Sequence, residues 1–331
     1  MSFNQDVSNV RLKAPDNTTN YAETALEGLQ KDGRVVKVLG NGKSIPHATG
    51  SRRLKKHLQG VAIRDSIATV TTATGDGLIL NSKDDAGSTP DFSYLGEKPV
   101  PNFDHPGGIQ TIGSYLVVPV YMGQKTESAQ KTTEVQFYEN MRELKKAEHL
   151  TIELDKRVYS VGISDAADEN GDFYLLVLGV DSKGKVFDFY RSQPNLALNH
   201  QDCRFKFLKN SKFKKEGYPN SISLLADEAN NLYFLGLHTT GRLASLGLGK
   251  DWADLYQINL QESGQKMFKK IANFHAICHK GPAFRWGGSA RVTSDSTISI
   301  FVCERNVQKS GSEIRLNVFR ADNDPEFGNL T

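Results

Sequence analysis

Cysteine is scarce: Cys203, Cys278 and Cys303 are the only three in 331 residues. An odd and sparse set does not make a disulfide framework and suits a reducing compartment, so a cytoplasmic location is expected. No stretch approaches the roughly 18 consecutive apolar residues of a membrane-spanning helix. The opening MSFNQDVSNV also lacks the basic start and apolar run of a secretory signal. There is no excess of one charge. Lys plus Arg number 41 and Asp plus Glu 38, and the resulting +3 argues by itself for neither nucleic acid nor a membrane as partner. What the chain does have is 38% apolar residues, which excludes disorder as a global description and supports a large core.

The chain repeats itself. Five segments share one grammar: HLQGVAIRDSIATVTTA from His57, HPGGIQTIGSYLVVPVY from His105, YSVGISDAADENGDFYLLVLG from Tyr159, YPNSISLLADEANNLYFLGLH from Tyr218 and FRWGGSARVTSDSTISIFVCE from Phe284. Each has polar or aromatic residues, then small ones, a short strand, a tight polar turn and a second apolar strand. Their starts lie about 48 to 66 residues apart, near the spacing of blade repeats with added loops. An alternating third segment follows each (LILNS, EVQFYE, KVFDFY, DLYQINL, EIRLNVF), and β-branched and aromatic alternation reads as strand. A more charged fourth segment follows in four repeats (FSYLGEK, HLTIELD, CRFKFLK, MFKKIANF). The fifth has none after Phe319, and RVVKVLG from Arg34 is the candidate to supply it.

These units, with HPGGI at His105 as the sharpest, resemble β-propeller blades from Arg34 to Phe319. The resemblance is to an architecture. It implies an all-β, five-bladed β-propeller, closed by an N-terminal strand that completes the last blade and removes an open sheet edge. Residues 34–331 are then one propeller domain. Residues 1–33 are a polar extension in which YAETALEGLQ is a candidate helix, with Asn20 as N-cap and Gly33 beyond its end. Propellers of this size include glycosidases and sugar-binding lectins, so the fold does not select a function. Of the inner acids that such glycosidases carry, only Asp104 is suitably placed here.

In a blade wound A to D from the axis outward, the D-to-A connections share one face and the A-to-B turns the other. The D-to-A connections sum to roughly +11 and the A-to-B turns to roughly −7, which predicts a basic top face that draws anions. The residues opening each strand A converge on the mouth of that face. His105, His57 and Tyr159 are the candidate catalytic groups, since imidazole exchanges protons near neutral pH. Gln59, Tyr218, Asn220, Arg285 and Trp286 are the candidate ligand contacts, Arg285 being suited to a bidentate grip on a carboxylate or phosphate. The top-face run HAICHK from His275 matches no zinc spacing, so no metal or other cofactor is expected.

The sequence is therefore read as a small-molecule-binding propeller for an anionic or polyhydroxylated ligand. The alternatives are a metal-independent lyase, isomerase, cyclase or hydrolase working through a mouth histidine, and a protein-interaction scaffold. Neither a membrane nor nucleic acid is an expected partner, stacking aromatics among the basic residues being few.

Overall fold

The computed structural model describes residues 18–19, 21–40, 45, 58–64, 66–72, 78–82, 91–98, 107–121, 133–180, 186–213, 219–241, 249–292, 296–305 and 313–321. Apart from the six-residue helix α1 (Ala22–Glu27) and short 3-10 turns, regular structure among these residues is β. Strands β1 (Thr18–Thr19) and β2 (Arg34–Leu39) flank α1. A first meander holds β3 (Leu58–Arg64), β4 (Ile67–Thr72), β5 (Leu78–Ser82) and β6 (Phe92–Lys98). The second holds β7 (Gln110–Ile112), β8 (Tyr115–Tyr121) and β9 (Thr133–Glu139), with the short β10 (Lys145–Lys146) and β11 (Ile152–Leu154) both paired to β9. The third runs through β12 (Val158–Asp168), β13 (Gly171–Val180), β14 (Val186–Ser192) and β15 (Phe205–Lys212). The fourth consists of β16 (Ser221–Asp227), β17 (Leu232–Thr240), β18 (Lys250–Ile258) and β19 (Phe268–Ala276). A final run comprises β20 (Gly288–Val292), β21 (Ile298–Cys303) and β22 (Glu313–Phe319).

Hydrogen bonding joins these strands into four sheets. Three are the second, third and fourth meanders, the last with β1 added parallel to the inner edge of β16. The remaining sheet has eight strands in the order β20-β21-β22-β2-β6-β5-β4-β3. In it β2 runs antiparallel to β22, from Arg34 opposite Val318 to Leu39 opposite Glu313. Val38 and Leu39 also pair in parallel with Phe92 and Ser93 of β6. Two runs that the sequence separates are thus fused along their outer strands.

The meanders are arranged radially as a β-propeller, with β3, β7, β12, β16 and β20 innermost. Gly108 bridges Ser160 in parallel, the Gly288 and Ala290 amides donate to the Ser221 and Ser223 hydroxyls (3.0 and 2.9 Å), and Ser289 Oγ donates to the Val61 carbonyl (2.6 Å). Small residues recur there because the inner backbones touch. A Cβ on Gly107 would lie 1.9 Å from the Tyr159 carbonyl oxygen, a distance no side chain tolerates.

Period-two alternation explains how the sheets stack. Along β13, Leu176, Leu178 and Val180 join a core cluster with Val117, Val135 and Phe137, whereas Leu175 and Val177 join another with Ile222, Leu224 and Phe234. Each sheet therefore buries both faces, at roughly 1.5–3 kcal/mol per large apolar side chain. Helix α1 buries Ala22 and Leu26 in the cluster that holds Leu225, Leu235 and Leu255. Its N-cap is Tyr21, extended and without a side-chain cap bond, rather than the expected Asn20, which lies outside the described residues. Gly28, not Gly33, follows its last turn. No helix among the described residues is long and apolar enough to cross a membrane.

Candidate functional site

Two of the expected site residues are β-bulges in the same register. Pairing of β3 with β4 skips from Leu58 opposite Thr72 to Gly60 opposite Thr71, leaving Gln59 as the extra residue. Pairing of β12 with β13 skips from Val158 opposite Val180 to Ser160 opposite Gly179, leaving Tyr159. A bulge kinks its strand and re-aims the extra side chain. The matching positions in the other runs are Gly107, Asn220 and Gly287, each standing before a small inner residue. The Asn220 amide donates to the Leu237 carbonyl at 2.8 Å, and Gly107 does the same to Pro119 at 3.1 Å. Gly287 has φ +109°, and a Cβ there would lie 1.5 Å from the Gln59 carbonyl oxygen, so only glycine fits. These contacts bring Gln59, Tyr159, Asn220 and Trp286 to one end of the inner ring.

Guanidinium groups stack on the aromatics at that end. The Arg157 guanidinium carbon lies 4.8 Å from the Tyr159 ring centroid and 5.2 Å from that of Tyr121. Arg285 and Arg305 lie 5.3 and 4.7 Å from the Trp286 ring. Cation–π attraction at such distances orients a guanidinium without neutralising it. Among the described residues none of these three arginines has a carboxylate within 4.0 Å, and Arg305 Nε is buried with no hydrogen-bond partner. Arg157 and Arg285 are exposed, while Tyr159 and Trp286 are half-buried.

The floor beneath this end is solid. Gln110 is fully buried, and its amide ties three strands together. Nε2 donates to the Leu224 carbonyl (2.8 Å), and Oε1 accepts from the Ile163 and Leu224 amides (2.9 Å each).

The expected residues His57, His105 and Tyr218 lie outside the described residues, as does Asp104. In sequence register, however, His57, His105, Arg157, Tyr218 and Arg285 each stand three positions before the small inner residue of their run. The same register is the sequence signal for Arg157, although Tyr159 is the residue that opens its repeat. Arg305, just past β21, carries no such signal.

Several other candidates are engaged elsewhere. Lys209 belongs to β15 and donates to the Leu260 and Glu262 carbonyls at the other end of the strands. Lys156 pairs with the buried carboxylate of Asp188. His275 stacks on Trp252 (4.7 Å), and His279 contacts Asp32 (3.2 Å). Burial, with Asp251 beside it, raises the Cys278 thiol, which opposes a nucleophilic role. Among the described residues no three His, Cys, Asp or Glu side chains gather as a metal site would require.

No family model and no curated protein matches the chain. Solved structures similar to it include a xylan β-1,4-xylosidase from Bacillus halodurans C-125, at 8% identity and TM-score 0.47, covering 82% of this chain. The chain spans 56% of that protein's length. A thermostable family-43 glycoside hydrolase is similar at 10% identity and TM-score 0.42, with 80% of this chain and 89% of that one covered. A sucrose-6-phosphate hydrolase from Lactobacillus gasseri is similar at 12% identity and TM-score 0.44, with 83% and 62% covered.

Proposed function

We propose that the chain is a five-bladed propeller that binds a small anionic ligand at the mouth formed by the openings of its inner strands. In this reading the eight-stranded sheet counts as two blades, and β2 completes the last one. The antiparallel ladder between β2 and β22 supports that count, because it gives every run a fourth strand. The observation that carries the ligand assignment is the set of arginines held on Tyr121, Tyr159 and Trp286 without a carboxylate partner among the described residues. Cations positioned by aromatic faces keep their donors available for a planar oxyanion. Arg285 and Arg157 grip the anion, Trp286 and Tyr159 offer stacking faces, and Gln59 and Asn220 add directional polar contacts. His57, His105 and Tyr218 are further candidate contacts by sequence register alone.

Calorimetric titration with glucuronate, glucose 6-phosphate and citrate tests this reading. Binding of at least one of them is expected, weakening as salt rises. Loss of a charge-assisted bond, about 1.5–3 kcal/mol, predicts a roughly tenfold or larger drop in affinity for Arg157→Ala and for Arg285→Ala. Absence of binding by all three, or wild-type affinity in both variants, overturns the assignment.

A further inference from the structure

A cleft of about 670 Å³ opens at the far end of the strands from the mouth, between the β12–β15 and β16–β19 sheets. Its volume falls within the roughly 300–1,000 Å³ typical of small-molecule sites. Its chemistry differs from that of the mouth. Side-chain amides of Asn231, Gln257, Asn259 and Gln261 line it together with the charged side chains of Asp168, Arg191, Glu262, Lys266 and Lys269. Asp168 and Arg191 satisfy each other: Arg191 forms a bidentate bridge to Asp168, which holds the Asp168 carboxyl below its ordinary range, and the same guanidinium covers the Phe173 ring at 4.0 Å.

The amides are set in advance. Asp227 accepts from the Asn231 backbone, the Asn231 side chain and the Tyr233 hydroxyl, each at 2.8 Å, and Gln257 Nε2 donates to Asn231 Oδ1 at 3.3 Å. A carboxamide carries donors and an acceptor side by side, which matches a hydroxyl that both gives and receives. Leu208, an exposed apolar side chain, also lines the cleft and suits the C–H face of a sugar ring. A second cleft of about 350 Å³ stands at the corresponding place between the first two meanders. There the β3–β4 turn (Arg64, Ser66) replaces the β12–β13 turn, and Asn140 and Arg142 after β9 replace the residues after β18. Recurrence at equivalent register makes the cleft a property of the repeat and not an accident of one loop.

We propose that the larger cleft is a binding site for a neutral saccharide, separate from the anion site at the mouth and on the opposite face. Saturation-transfer NMR on the intact chain with cellotriose, maltotriose, mannotriose and galactotriose, each at about 10 mM to capture affinities in the millimolar range, tests it. Transfer to at least one trisaccharide is expected in the wild type. It should fall at least tenfold in Gln261→Trp, which blocks the cleft from an exposed turn, and persist in Arg285→Ala. Three results overturn the proposal: no transfer to any of the four, an unchanged signal in Gln261→Trp, or a signal lost in Arg285→Ala but kept in Gln261→Trp. The last places saccharides at the mouth, and failure of anion binding alone leaves the cleft standing.

Discussion

Replacing Gln110 by Leu tests how the inner strands are held together. The two side chains are close in volume, so the variant leaves little cavity and isolates the polar contribution. It strands three backbone groups at a site closed to water: the Ile163 and Leu224 N–H groups and the Leu224 carbonyl, all now bonded to the one amide. An unsatisfied buried group costs about 1–3 kcal/mol. Relaxation shares part of that cost, so about 3–6 kcal/mol is expected. At about 2 °C per kcal/mol for a large domain, the melting temperature should fall by about 6–12 °C. Urea unfolding followed by circular dichroism measures the loss, with calorimetry as the second readout. Gln110→Glu is the control, since it keeps an acceptor for the two amides while losing the donor and adding a charge, and it should also destabilise. A Gln110→Leu protein within about 1 kcal/mol of wild type would refute the bridging role.

Three further outcomes follow from the geometry. Gly287→Ala puts a Cβ 1.5 Å from the Gln59 carbonyl at φ +109°, so it should cost more than about 4 kcal/mol or give insoluble protein; a normal melting curve would contradict the close approach. His238 is buried, and burial lowers its pKa, with Lys270 adding to the depression and Asp254 and Asp251 opposing it. Its folded form therefore binds fewer protons than its unfolded form, so stability is full above about pH 6.5 and declines as pH falls below it. Melting temperatures read from pH 8 to 5 should show this decline and a flatter profile in His238→Gln; parallel profiles would exclude the role. Burial raises all three thiols, Cys203 to about 11. An aromatic disulfide reagent at pH 8 should label native protein slowly and take up all three thiols on unfolding, whereas rapid native labelling would show them accessible.

Strand positions were legible because alternation is local. EVQFYE falls within β9, and most of KVFDFY and DLYQINL lies in β14 and β18. What the chain hides is how far strands extend and what lies across an interface. HLTIELD reads as one strand, yet a 3-10 turn at Glu148–Leu150 leaves only β11 there, because no pattern records where an outer strand can detach. Nothing local to Lys209 shows that carbonyls of a neighbouring sheet receive it. The role of Gln110 needs Ile163 and Leu224, 53 and 114 residues away. At the mouth, Gln59 and Tyr159 could be found from their place before a small residue, while Arg305 becomes relevant only once β21 brings it beside Trp286.

The ladder between β2 and β22 has a consequence for biosynthesis. Its partners are 274 to 284 residues apart, so β2 leaves the ribosome long before the strand it needs exists. At about 5–20 residues per second the wait is about 14–56 s. Until then Val36 and Val38, fully buried in the finished fold, lack the strand that pairs along the length of β2, and Lys37 between them is a local deterrent to pairing with a stranger. A nascent chain of this design has reason to keep β2 in the care of a chaperone until its last strand arrives.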